Sequence, residues 1–219
     1  YVFLVIFLLI VMGITWLFYN FFDSNTASLQ PMFGLWPFIF MVLAPGVGMR
    51  LWAEQKRAGT WELLFTYPIQ TWQAVVAKFL GGWAFLTVAI LLTFTMPMTV
   101  SYLGEPDLGP MFSGYLGAIL MAGSYLAICS LASSLTRSQV VGFVLGVAGC
   151  FALLFTGLDF FTSIFSEFLP GAVVDGLANF SFYTHFEPFI RGMVRLTDLI
   201  FFISVTVFAL WMNALVLER

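Results

Sequence analysis

Uninterrupted apolar runs of about 20 residues recur along this chain, and they decide most of what it can become. At 1.5 Å rise per residue, such a run crosses the ~30 Å hydrocarbon core of a bilayer as one helix. Lipid offers no hydrogen bonds to a backbone, so only helices and closed barrels can span it. A barrel needs short segments of strict polar–apolar alternation, and none is present. The composition agrees: 61% of the 219 residues are hydrophobic and 9% are charged, against roughly 25% charged in soluble domains. An ordinary soluble enzyme is excluded. The fold class is an all-α polytopic membrane protein, one membrane domain over residues 1–219.

Six spans are predicted, at residues 2–22, 33–52, 71–103, 112–135, 139–158 and 199–217. The run that opens at Tyr1 carries no initiating methionine, and a more polar piece is expected ahead of it. Pro45-Gly46 should bend the second span, because proline deletes a backbone hydrogen bond and glycine loosens the turn. Thr71 is the expected N-cap of the third span and Asp198 of the last. The third run is too long for a straight crossing and should tilt or bend at Pro97. No solenoid repeat and no inverted pair of halves is evident.

Two polar interruptions differ from simple loops. Residues 53–70 gather Glu54, Lys56, Arg57 and Glu62 around a Gly59-Thr60 turn, then close with Trp61, Leu63, Leu64 and Phe65 before Pro68. Gly59 permits a chain reversal. Thr60 can cap a short helix from Trp61, with Glu62 placed well for the helix dipole. The chemistry suits a docking element, or a solvated loop with a helix on the membrane surface. Residues 159–197 are rich in Phe and Leu yet broken by Pro170, Gly171 and Pro188. They are expected to form short re-entrant or interfacial helices.

Charge placement orients the chain. Alternating crossings put residues 53–70, the 136–138 turn and both termini on one side. That side holds Arg50, Lys56, Arg57, Lys78, Arg137 and Arg219, whereas only Arg191 and Arg195 fall opposite. Asp23, Glu105, Asp107, Asp159, Glu167, Asp175, Glu187 and Asp198 all lie on the other side. The positive-inside rule then makes 53–70 and both termini cytoplasmic. Lys78, a turn or two inside its span, should snorkel back to the interface.

Motifs for chemistry are sparse. No P-loop, metal-spaced His/Cys cluster or nucleophile elbow appears, so no catalytic, cofactor or metal site is expected, and no nucleic-acid partner. Cys129 and Cys150 fall inside spans, where they read as small packing residues rather than a disulfide. Gly142-xxx-Gly146 favours close helix packing within the subunit, with a dimer contact as the second reading. His185, the single histidine, reads as an interfacial hydrogen-bonding residue. With Glu187 and Arg191 it also leaves open a lipid-modifying enzyme. The midsections of all six spans lack ionisable groups, against an ion-coupled carrier or a charged-ring channel. A third reading is a non-transporting scaffold for a cytoplasmic partner.

Pro45-xxx-Met49-Arg50, then Glu54-x-Lys56-xx-Gly59-Thr60-x-Glu62-Leu63-Leu64, then Pro68 and Lys78, resemble the type-2 ABC-transporter permeases. Among these the pattern is most similar to the gliding-motility type, whose relatives include a nitrous-oxide-reductase maturation permease. His185-Phe186-xx-Phe189-xx-Gly192 resembles the family's approach to its last helix. The likeness covers nearly the whole chain, although the family's cytoplasmic N-terminal helix is not in it. Gln55 stands where many relatives carry a second acid.

The resemblance implies an export permease of the bacterial inner membrane without catalysis of its own. Two such subunits, identical or related, would sit on a cytoplasmic ATPase dimer that binds ATP and Mg, with an extracytoplasmic accessory subunit possible. Glu54, Arg57, Gly59, Thr60, Trp61, Glu62, Leu63 and Leu64 would then belong to the coupling helix on the ATPase. An ATPase contact at Gln55 would differ from that of relatives.

Overall fold

The computed structural model describes residues 6–7, 9–11, 13, 29–59, 70–104, 107–157, 176 and 179–218. Most of the predicted first span, all of residues 60–69 and most of 158–178 lie outside them. Every described element is a helix. In chain order they are α1 (Gln30–Ala58), α2 (Thr71–Leu92), α3 (Thr95–Leu103), α4 (Leu108–Ser134), α5 (Gln139–Phe155), α6 (Phe182–Ile190) and α7 (Leu196–Glu218). Among the described residues four stretches are long and apolar enough to cross a bilayer: α1, α2 with most of α3, α4, and α7. At 17 residues, α5 reaches only about 25 Å and falls short of that length.

α4 is the hub, because its sequence is small where neighbours must approach. A Cβ on Gly114 would lie 2.7 Å from the Phe33 ring, on Gly117 2.6 Å from Phe189, and on Gly123 2.9 Å from the Trp83 indole. Large aromatics from α1, α6 and α2 therefore seat directly on the α4 backbone, and the packing is one of knobs on glycines. Phe33, Trp36 and Tyr115 meet edge to face at 5.2–5.5 Å between centroids. Both glycines of the Gly142-xxx-Gly146 pair face inward, towards Ser133 and Thr136, and towards Cys129 and Pro45. They pack within the subunit. Cys129 and Cys150 are free, buried thiols with sulfurs 3.5 Å apart.

Side-chain bonds fix the helix directions. Trp52 meets Ser130, Lys78 meets Leu51, and Asn213 meets Ser130. Ala58, Thr71, Ser134, Gln139 and Glu218 therefore gather at one end of the bundle. α6 runs beside the other half of α4: Phe182 meets Tyr125 at 4.7 Å, and Ser113 Oγ donates to the Phe189 carbonyl at 2.7 Å. Gly192, at φ +86, turns the chain back over Pro110.

Several boundaries differ from the sequence reading. α1 does not stop at Trp52 but continues through Glu54–Ala58, and runs unbroken through Pro37 and Pro45. The polar residues 54–58 extend the span helix beyond its apolar part, and the turn comes at Gly59, whose φ of +70 suits a residue without Cβ. The third run does break, but at Thr93–Phe94, with Pro97 in the first turn of α3. A proline acts on the carbonyl four residues back, and residue 93 stands in that position. Gln70, not Thr71, caps α2, through a reciprocal box with Gln73. Asp198 is not a cap: α7 begins at Leu196, and the Asp198 carboxylate turns to His185 instead.

Candidate functional site

Residues 53–59, the last turns of α1 and the glycine that caps it, are the described part of the predicted docking element. Glu54, Arg57 and Gly59 are exposed here, whereas Thr60, Trp61, Glu62, Leu63 and Leu64 lie outside the described residues. The same helical turns that present Glu54 and Arg57 outward bury Trp52 and Ala53 completely. That division follows from the 3.6-residue period: positions 50, 54 and 57 share one face, and 49, 52, 53 and 56 the other.

What holds the inward face is a polar joint with three other helices. Trp52 Nε1 donates to Ser130 Oγ at 3.1 Å, and Asn213 Nδ2 of α7 donates to the same oxygen at 2.8 Å. One hydroxyl thus links α1, α4 and α7. Ser133 does something less usual. Its Oγ donates to the Met49 carbonyl at 2.9 Å and accepts from the Ala53 N–H at 3.0 Å and the Trp52 N–H at 3.2 Å. Met49 and Ala53 are an i, i+4 pair, so a hydroxyl from α4 is spliced onto a rung of the α1 ladder. Side-chain insertion of this kind is a recognised origin of helix bending.

Lys78 supplies the third tie. Its Nζ donates to the Leu51 carbonyl at 2.8 Å and to Gln55 Oε1, and lies 3.6 Å from the centroid of the Trp52 ring. The ammonium finds carbonyl, amide and π face within reach of its stem, on the last turns of α1 before Gly59. Gln55 is thereby turned to α2. Lys56 closes the arrangement by donating to the Ser134 carbonyl at the end of α4, one of the acceptors that a helix C-terminus leaves open.

This joint has no group set for bond making. Among the described residues no cluster of three or more His, Cys, Asp or Glu could hold a metal. Its donors and acceptors bind one another, with Asn213 Oδ1 as the buried exception. The bonds leave the last turns of α1 in three directions: to α4 through Trp52 and Ser133, to α7 through Ser130 and Asn213, and to α2 through Lys78. Sequence reasoning missed Ser130, Ser133 and Asn213 as partners. The available signal was an Asn inside an otherwise apolar last span, costly to bury without a bond.

His185 sits at the opposite end of the bundle. Its Nδ1 lies 2.7 Å from Asp198 Oδ1, its Nε2 2.8 Å from the Asn179 carbonyl, and its ring stacks on Phe201 at 3.9 Å. Glu187 pairs with Arg191 at 2.5 Å rather than with His185. Both ring nitrogens are engaged, so neither is open to act as a base on a lipid.

Comparison with known proteins accords with a transport role. No curated protein matches the sequence. A family model described as ABC-2 family transporter protein matches residues 26–217, which runs from before α1 to the next-to-last residue of α7. The chain is a multi-pass membrane protein and belongs to the ABC-2 transporter family.

Proposed function

We propose that this chain is the permease subunit of an ATP-driven exporter of the gliding-motility type in a bacterial inner membrane. Two such subunits, identical or related, stand on a cytoplasmic ATPase dimer, which binds the ATP and Mg. Residues 53–70 are the coupling element, with Glu54, Arg57, Gly59, Thr60, Trp61, Glu62, Leu63 and Leu64 as its contact set, and both termini are cytoplasmic. Residues 159–197 face the other side, where an accessory subunit has room to bind.

The reading is supported above all by the joint behind Gly59. A loop that merely connected two spans would need no bonded anchorage, whereas a lever needs a stiff root. Here the root is tied to α2, α4 and α7 by Lys78, Ser130, Ser133 and Asn213. ATP-driven closure of the ATPase pair would draw two such roots together and shift the helices bonded to them.

The test is co-expression with a candidate P-loop ATPase, sought first among the genes neighbouring this chain's own, followed by purification and measurement of affinity and hydrolysis. Glu62→Lys and Leu64→Asp should weaken ATPase association and uncouple hydrolysis from transport. Unchanged affinity in both variants contradicts the docking role. Failure of the wild-type pair to associate, with no change in hydrolysis, contradicts the permease reading as a whole.

A further inference from the structure

The midspans lack ionisable residues, yet one ionisable pair is buried in the helix bundle. The Asp198 side chain is 5% exposed and that of His185 18%. Phe201 covers one face of the imidazole at 3.9 Å. The Asn179 carbonyl opposite Nε2 can only accept, so Nε2 carries a hydrogen. At Nδ1 the neighbour is a carboxylate oxygen, 2.7 Å away, within the range of charge-assisted hydrogen bonds. With Nε2 protonated, Nδ1 bears a lone pair unless a second proton is present. A lone pair facing a carboxylate at that distance is repulsive. The contact therefore requires one further proton.

We propose that His185 and Asp198 form a proton-binding site, an imidazolium against a carboxylate, whose Nδ1 proton fastens α6 to the first turn of α7. The second carboxylate oxygen of Asp198 is buried and has no hydrogen-bond partner among the described residues. The Nδ1–H donor is thus the bond that Asp198 has here. Loss of the proton leaves a buried carboxylate facing a bare nitrogen, and separation of α6 from α7 lets water reach both.

Among the described residues no other charge takes over this role. α6 itself carries the phenol of Tyr183 and the carboxylate of Glu187, which closes on Arg191 at the C-cap with both side chains exposed; Arg195, just before α7, and Asp107, just before α4, are exposed. α4 presents only the phenols of Tyr115 and Tyr125 and the thiol of Cys129, and α5 only the thiol of Cys150. The ionisable groups of α1 (Arg50, Glu54, Lys56, Arg57) and α2 (Lys78) belong to the Gly59 end. Asp159, Glu167 and Asp175 lie outside the described residues.

The sign follows directly. The protonated form is held only when α6 is docked, so docking is firm at low pH and is lost as pH rises. A device of this kind senses proton activity on the side of the membrane that α6 faces, independently of any ATPase.

His185 is the single histidine, which makes the test direct. The purified chain, carrying no histidine tag and labelled with nitrogen-15 histidine, is placed in lipid nanodiscs. Its imidazole spectrum is followed from about pH 5 to about pH 9, the window in which histidine charge ordinarily changes. Hydrogen exchange of residues 182–190 is followed in parallel, corrected for intrinsic rates, with 142–150 of α5 as the reference. Expected is an imidazole protonated on both nitrogens at the acid end. Its deprotonation should coincide with a loss of protection at 182–190 of about tenfold or more, while 142–150 is unmoved. Asp198→Asn should abolish the pH step, since an amide bonds a neutral ring from either of its atoms. A ring with one bare nitrogen throughout, protection at 182–190 that ignores pH, or a wild-type pH step persisting in D198N would each overturn the proposal.

Discussion

Gly48→Ala is the sharpest probe of how α1 is seated on α4. A Cβ at residue 48 would fall 2.4 Å from Cys129 Cβ, 3.2 Å from its carbonyl carbon and 3.4 Å from its Cα. Carbon pairs rest at about 3.5–4.0 Å, so the two helices must part by about 1 Å. The obstacle is a β-carbon and a backbone, which no rotamer change can move aside. Overpacking of this kind costs about 1–3 kcal/mol, and the rigid obstacle places Gly48→Ala at about 2–3. The joint lies one turn further along. A 1 Å separation would stretch the Trp52–Ser130 bond from 3.1 Å beyond hydrogen-bonding range, so seating and joint should fail together. The assay is thermal unfolding in detergent against Gly81→Ala, a glycine on α2 whose Cβ would meet nothing within 4 Å. For a chain of this size the midpoint should fall by about 4–12 °C in Gly48→Ala, while Gly81→Ala should be neutral or slightly stabilising because alanine is the better helix former. Cys129→Gly in the Gly48→Ala background removes the nearest atom and should recover part of the loss. If Gly48→Ala matches Gly81→Ala, or Cys129→Gly restores nothing, the close seating of α1 on α4 is wrong.

The joint itself makes further tests. Ser130→Ala leaves the Trp52 indole N–H and the Asn213 amide, both fully buried, without their shared acceptor; it should cost about 2 kcal/mol by thermal unfolding, whereas exposed Ser204→Ala should cost nothing measurable. Lys78→Met keeps the stem but loses the bonds to Leu51 and Gln55 and the contact with the Trp52 ring; a loss of about 1–2 kcal/mol is expected, with altered fluorescence from Trp52. Gly59→Ala meets no steric obstacle but must adopt φ +70; it should cost about 1 kcal/mol at the helix end and raise hydrogen exchange of 55–58 more than that of 40–50.

Helices are the part of this fold that the residues announce, because a bilayer accepts few alternatives to a long apolar run. Glu54–Ala58 reads as part of a separate docking insert because its polarity marks where lipid ends, whereas the span helix itself continues to Ala58. The helix end is set by the first residue able to take a left-handed turn, and Gly59 was visible for that. The break in the third run was legible in kind but displaced, since Pro97 acts on a carbonyl four residues away. The partners of Lys78, Ser133 and Asp198 were not legible in any local pattern. Each bonds at a sequence distance of 13 residues or more, and a single sequence carries no sign of such pairings beyond the cost of burying them alone.

That cost is the common thread of the two ends of the molecule. Between them the bundle is mostly apolar and is held by shape, with glycines of α4 taking aromatic rings, and by single bonds across helix pairs, from Ser124 Oγ to the Phe202 carbonyl and from Trp83 Nε1 to the Ile119 carbonyl. At the Gly59 end the polar side chains Trp52, Lys78, Ser130, Ser133 and Asn213 converge on one another across four helices, and at the other His185 and Asp198 converge across two. Shape alone lets helices slide or tilt at small cost, because lipid replaces one apolar contact with another. Hydrogen bonds in the same medium do not slide: they are made or lost. The bundle is therefore fastened discretely along its length, most densely at the Gly59 end, where bonds from Trp52, Lys78 and Asn213 bring α1, α2, α4 and α7 to one place.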